Sequence, residues 1–370
     1  MPRLLLLLIV TLAAGALLAE SMPSRQAQAA FPGANGKIAF ERGPIWIMRP
    51  DGSSQVNLTP GMGGSDPAWS PDGSYIAFVG FTGGQDRDQV YVMEADGSAV
   101  TPLTDTGFGK AGPTWSPDGT RVAFAAHSGT GYYDIFAVNS DGSDLRQLTT
   151  ENGNDASWSP DGARIVFRST RLAGPGLYTM DANGDNEMPL TTDPTDKEPS
   201  WSPDMSRIVF VRRVLTPDGF PEPQIHVMDS DGSEIVQLTS HDSVNARRES
   251  PDWSPDGTQI VYEDGSRGSD EHEVYVMNAD GTNQQNISNS PYNDASPAWQ
   301  PLLSGESMPG DVNCGGDANA VDASLVLQMT AGLLQSLLCP DNGDVNSDGL
   351  ANSLDALLIL QYSAGLLDHL

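Results

Sequence analysis

Two twelve-residue stretches near the C-terminal end carry more oxygen-bearing side chains than a turn requires. "DVNSDGLANSLD" (344–355) puts Asp344, Asn346 and Asp348 at positions 1, 3 and 5. Gly349 takes position 6 and Leu350 offers its main-chain carbonyl at position 7. Asn352 and Asp355 fall at positions 9 and 12. A hard divalent cation of calcium size takes about 6–8 oxygens, and this alternation supplies them around a sharp glycine turn, which is EF-hand spacing. "DVNCGGDANAVD" (311–322) repeats the plan with Asp311, Asn313, Asn319 and Asp322. Its position 5 is Gly315, so Asp317 at position 7 is the nearest substitute, and this loop is expected to hold Ca2+ more weakly. Each loop runs into an apolar segment, "ASLVLQMTAGLL" and "ALLILQYSAGLL".

Cys314 and Cys339 are the only cysteines, one within the first loop and one before the second. In a secreted chain such a pair is expected to form a disulfide, two free thiols being the alternative. Two cysteines with no histidine between them do not make a structural zinc site. Secretion is what the first 30 residues suggest. Arg3 precedes an apolar run over 4–19, and "AQA" at 27–29 is a small-x-small cleavage pattern, which together read as a signal peptide. The run is short for a spanning helix, so no membrane span is expected after cleavage, an uncleaved anchor being the alternative.

The chain has 370 residues with 19 Lys+Arg against 49 Asp+Glu, a formal net charge of -30. Phosphate backbones and anionic lipid surfaces need cationic partners, so nucleic acid is excluded as a ligand class. The acidity serves solubility and turns through most of the chain, and cation binding in the last 60 residues.

These loops follow a long repetitive region. "WSPDG" or a near-copy follows each of five tryptophans, and Trp299 marks a sixth, truncated unit. Trp69, Trp115, Trp158, Trp201, Trp253 and Trp299 recur at intervals of 43 to 52 residues. A second phrase, such as "VYVMEADGSAVTPLT", accompanies each unit. Within 155–191 the runs "ASWS", "ARIVF", "GLYTM" and "MPLT" read as four strands separated by Pro and Gly turns. Short strands at this period predict a β-propeller. Residues 35–59 supply the last three strands of a unit and 296–301 a first strand. Joined, they make the sixth blade and remove the exposed edges. The fold class is thus all-β, a six-bladed propeller with four-stranded blades and a clasp, carrying a small helical EF-hand-like module at its C-terminal end. The expected boundaries are signal 1–30, propeller 31–301, linker 302–310 and calcium module 311–370.

Ser-Pro-Asp-Gly suits a type I turn with a left-handed glycine after it. Met205 stands where the other copies have Gly and is expected to be strained. Three residues before each Trp lie Asp66, Gly112, Asp155, Glu198, Ser250 and Ser296. The acids Asp66, Asp155 and Glu198 are expected near one mouth of the central channel, as a site for a cation or basic ligand or as strand-start chemistry. The insertion "RRVLTPDGFPEPQ" (212–224) is a second candidate contact surface.

The repeat resembles the TolB-type six-bladed propeller, a WD-repeat-like family whose units carry the same Trp-Ser-Pro-Asp-Gly phrase. The resemblance covers about residues 35–301. It implies a binding scaffold, since the periplasmic member pairs with a peptidoglycan-associated lipoprotein; relatives also precede peptidase domains, and none follows here. The duplicated loops, with Asp at position 12 and no preceding helix, resemble dockerin modules over 309–367. That implies a calcium-folded plug for a cohesin-like or other cell-surface protein. Ala320-Val321 and Ser353-Leu354 replace the usual Ser-Thr pairs, and Leu327-Gln328 and Leu360-Gln361 replace the basic pairs, which leaves the partner open.

No P-loop, G-x-S-x-G or H-E-x-x-H motif occurs, and the five histidines are scattered. The sequence therefore favours a secreted or cell-surface binding protein, with a protein or carbohydrate ligand at the propeller mouth. The alternative is a propeller hydrolase or lyase acting on extracellular polysaccharide.

Overall fold

The computed structural model describes residues 33–302 apart from 82–87, 106–108, 128–131, 173, 241–245 and 267–271, together with 320–331, 345 and 351–363. The signal expected over 1–30 lies outside the described residues, as do Cys314, Cys339, most of the first calcium loop and half of the second.

Each repeat unit closes as one four-stranded antiparallel sheet, and six such sheets are described. Blade 1 is built from both ends of the region. Its innermost strand, Ala295–Leu302, pairs with Ala34–Glu41, which is followed by Ile45–Met48 and Val56–Asn57. This is the clasp expected from the two partial units. The innermost strands of blades 2 to 6 are Gly63–Trp69, Lys110–Trp115, Gly153–Trp158, Lys197–Trp201 and Ala246–Trp253. The outermost strands are two residues each, shorter than runs such as "MPLT" suggested.

The core lies between blades, because each sheet is covered on both faces. Phe40, Phe78, Phe124, Phe167, Phe210 and Tyr262 hold the same position in the second strand of successive blades and are fully buried. The repeated tryptophans pack on the preceding blade. Trp69, Ile76 and Phe78 of blade 2 meet Ala39, Ile45 and Ile47 of blade 1. Trp253 and Tyr262 of blade 6 meet Val209 and Ile225 of blade 5. The ring closes where Ile38, Phe40 and Trp299 of blade 1 pack on Val261 and Val274 of blade 6. Burying each Trp contributes roughly 1.5–3 kcal/mol.

The Ser-Pro-Asp-Gly phrase forms the turn its residues require. In blade 4 the Gly162 N–H donates to the Ser159 carbonyl at 2.8 Å. Asp161 accepts from the Ser159 hydroxyl at 2.6 Å and from the Ala163 N–H at 3.0 Å. The position after Asp is left-handed, with φ of +70° at Gly162 and +61° at Met205.

The 212–224 insertion is built as a long hairpin. It continues two strands, Arg207–Leu215 and Pro221–Asp229, to nine residues each, joined through 216–220. Leu215 and Phe220 at its tip are exposed.

Two helices are described near the C-terminal end, α1 (Ala320–Thr330) and α2 (Ser353–Ser363). They pack through Ala323 and Val326 against Ala356 and Ile359. Each residue of the first pair lies 33 positions before its counterpart, the interval between the two loops.

Candidate functional site

The six residues that precede the tryptophans by three converge on one channel. Asp66, Gly112, Asp155, Glu198, Ser250 and Ser296 all line a central cavity of about 540 Å3, together with Glu249, Asp252 and Glu263. They sit within the innermost strands, from the second residue (Glu198, Ser296) to the fifth (Ser250), at β-bulges. The pairing register slips between Ser65 and Ala68, and at the equivalent places in the other five blades. All six are left-handed, with φ between 49° and 54°. Five of them carry a side chain there, at a cost of about 1 kcal/mol each. Only at Gly112 is that cost absent. Pro follows in five of the six, which suits a bulge, where no ladder N–H is needed.

The acids clip neighbouring blades together. Asp66 accepts from the Gly112 N–H at 3.2 Å and from the Ser296 hydroxyl at 3.3 Å. Asp155 accepts from the Glu198 N–H at 3.3 Å, and Glu198 from the Ser250 N–H at 2.7 Å. Glu263 takes the Ser296 N–H at 3.0 Å. Asp252 accepts from the Ser200 hydroxyl at 3.0 Å and the Trp299 N–H at 3.1 Å. Lys197 answers part of the charge, at 2.6 Å from both Glu198 and Glu249.

Crowding these carboxyls costs them ionisation. Burial, with Asp155 and Glu249 nearby, pushes Glu198 up to about 7 although Lys197 opposes the shift. Its side chain keeps 27 % of its surface open to the channel, so desolvation here comes from surrounding protein density rather than full occlusion. Burial beside Asp66 and Glu263 pushes Glu41 up to about 7. Burial alone drives Asp252 up to about 6 against its hydrogen bonds. Asp66 and Asp155 are raised by burial too, Asp155 being eased by Arg168 and Lys197. The channel thus holds protons readily near neutrality.

The sequence reading missed Glu41, Lys197, Glu249, Asp252 and Glu263. A signal was available: Glu41, Arg168 and Glu263 share the position after the second-strand aromatic. In the C-terminal part, Asn352 and Asp355 form a reciprocal cap on α2. Asn352 accepts from the Leu354 N–H and Asp355 from the Asn352 N–H, both at 2.8 Å. Asp355 is fully buried. Two oxygen-bearing side chains of the second loop are thus held beside each other, which fits a cation that takes hard oxygen donors. Asp311, Asn313, Asp317, Asn319, Asp344, Asn346, Asp348 and Leu350 lie outside the described residues, as does the side chain of Asp322.

Six four-stranded blades around an acidic channel, closed by a C-terminal strand, define a six-bladed β-propeller. The chain belongs to the TolB beta propeller domain family, whose profile matches residues 35–303. Among solved structures it is similar to TolB from Acinetobacter baumannii, with 25% identity, a TM-score of 0.62, and coverage of 74% of this chain and 68% of that one. It is similar also to putative TolB from Agrobacterium tumefaciens, with 22% identity, a TM-score of 0.55, and coverage of 69% and 88%. Hydrazine synthase from Kuenenia stuttgartiensis shares the fold at 15% identity and a TM-score of 0.60, over 78% of this chain and 50% of that one. No curated protein matches the chain. Among the described residues no helix is long and apolar enough to cross a membrane.

Proposed function

We propose that this protein is a secreted, non-enzymatic binding protein whose propeller channel takes a basic segment of a protein partner. The observation that carries the reading is the convergence of Asp66, Asp155 and Glu198, from three blades, on one channel, with Gly112, Ser250 and Ser296 of the other three blades aligned by the same bulge. Its 540 Å3 accommodates a few side chains rather than a folded domain. A cationic side chain entering it restores the charge that burial makes costly. The test is calorimetric titration of the full chain with a lysine-rich peptide. D66N, D155N and E198Q should each weaken binding several-fold, and the loss should shrink at high salt. Equal affinity in all three variants would overturn the reading.

The C-terminal module serves as a calcium-dependent plug for a cohesin-like or other cell-surface protein. Support comes from the two equivalent helices and from the leucines they leave outward. Leu327 and Leu360 are repeat equivalents, and both are exposed, as is Leu357. Asp311, Asn313, Asp317, Asn319 and Asp322 would hold one Ca2+. Asp344, Asn346, Asp348, Leu350, Asn352 and Asp355 would hold the other, and a Cys314–Cys339 disulfide would tie the first loop down. Calcium should bind the full chain in two steps, and D344A should abolish the tighter one. A single step, unaffected by D344A, would sink this assignment.

A further inference from the structure

Two cavities lie where the second strands of blades 3, 4 and 5 end, and they share one side chain, Arg168. The first, of about 270 Å3, is lined by His127, Tyr132, Tyr133, Asn152, Asn154 and Thr170 besides Arg168. The second, of about 330 Å3, is lined by Arg168, Pro194, Thr195, Lys197 and Arg213. In a chain of net charge -30, three cations meet here and no carboxylate lines either cavity. Lys197 is already engaged by Glu198 and Glu249. The two arginines are different. The Arg168 Nε is buried and finds no hydrogen-bond partner among the described residues. Its charge acts on Asp155, without a hydrogen bond between them. Arg213 is exposed; its main-chain N–H donates to the Thr195 hydroxyl at 3.2 Å, and its guanidinium makes no bond to a described residue. Beyond Arg213 the surface continues past Glu222 and Arg247, where negative charge returns.

A guanidinium is a planar fork matched to a carboxylate, and leaving its N–H groups unmet under cover is unfavourable. Beside this pair stands Tyr132, 58% exposed, with its ring available as a flat apolar face. Asn152, Asn154, Thr170 and Thr195 add amides and hydroxyls to the walls, beside His127, Tyr133 and Pro194, and suit a ligand dense in hydroxyl groups. No aliphatic Val, Leu, Ile or Met side chain lines either cavity.

We propose that these joined cavities bind a carboxylate-bearing sugar unit of an acidic oligosaccharide. Arg168 and Arg213 take the carboxylate, Tyr132 stacks on the ring, and Asn152, Asn154 and Thr170 meet the hydroxyls. The site adjoins the channel, with which it shares Asn154, and its ligand carries the opposite charge to that proposed there.

The test titrates the full chain with an oligosaccharide of uronic acid units, with its methyl ester, and with poly-glutamate. The acid should bind, the ester about tenfold more weakly, and binding should weaken with added salt. R213Q and Y132A change exposed side chains and should each cost about fivefold or more while leaving the melting temperature unchanged. D66N, in the channel, should leave uronate affinity unaltered. No binding of the acid, equal binding of the ester, or no effect of R213Q and Y132A would overturn the proposal. So would tighter binding of poly-glutamate, which would mark the cavities as an acidic-peptide site.

Discussion

Met205 is the one departure from glycine among the described Ser-Pro-Asp-Gly turns, and its φ of +61° shows that the turn keeps its shape regardless. The other four copies have Gly73, Gly119, Gly162 and Gly257 at φ between 67° and 72°. The methionine side chain is 39% exposed, so what it does cover offsets part of that strain. Met205→Gly should therefore stabilise the protein by about 1 kcal/mol, somewhat offset by the freer unfolded chain. A higher urea midpoint with an unchanged slope would agree; a lower midpoint would show that Met205 packs usefully. This residue was legible in advance because the repeat supplied its own comparison. The bulge residues were legible only as a column of acids. "SDPAW" and "NDASW" do not by themselves announce a left-handed residue in mid-strand, since Asp occupies both turns and extended strands.

Ion pairs hold the strand ends at the element scale. In blade 1, Arg42 grips Asp294 through Nε at 2.5 Å and a terminal nitrogen at 2.6 Å, with the Asp294 side chain fully buried. In blade 5, Arg212 grips Asp196 in the same way, at 2.6 and 2.7 Å. Both arginines stand two places after the second-strand aromatic and both aspartates just before the innermost strand, so the pairs are repeat equivalents. Arg42 also lies over the Trp46 ring, 4.8 Å from its centroid. Arg42→Ala would leave a buried carboxylate unanswered and should cost about 3–5 kcal/mol. Arg42→Lys should recover only part, because an ammonium cannot reproduce the fork. Full recovery by lysine in thermal melts would mean that charge alone matters. Sequence reading found every blade and the clasp, because hydrophobic runs and turn residues are local signals. It could not pair residues 252 positions apart, because the partner is chosen by ring closure.

For the molecule as a whole, the channel sets a pH dependence. Glu41 and Glu198 lie near 7 and Asp252 near 6 when folded, above the ordinary unfolded carboxylate range of about 4. Between about pH 4 and 7 the folded state then holds more protons than the unfolded, so stability should fall as pH rises through that window. Below that the sign reverses. Asp118, Asp161, Asp204 and Asp256 are partly buried, which works against them, yet serine hydroxyls and main-chain N–H groups hold them below their ordinary value. Their contribution is present above the unfolded range and is lost as pH falls through their folded values. Melting temperature should therefore peak near pH 4–5, and E198Q should flatten the decline toward neutrality. A profile that rises steadily to pH 8 would contradict the electrostatics of the channel.

The clasp also imposes an order in time. Blade 1 draws three strands from the beginning of the propeller and its innermost strand, Ala295–Leu302, from the end. During synthesis, five blades can assemble while the strand Ala34–Glu41 waits with an unpaired inner edge. Only a chain read through to residue 302 can cover it. An interrupted chain would keep that edge open and invite pairing with another molecule, so ring closure marks an intact propeller off from a truncated one.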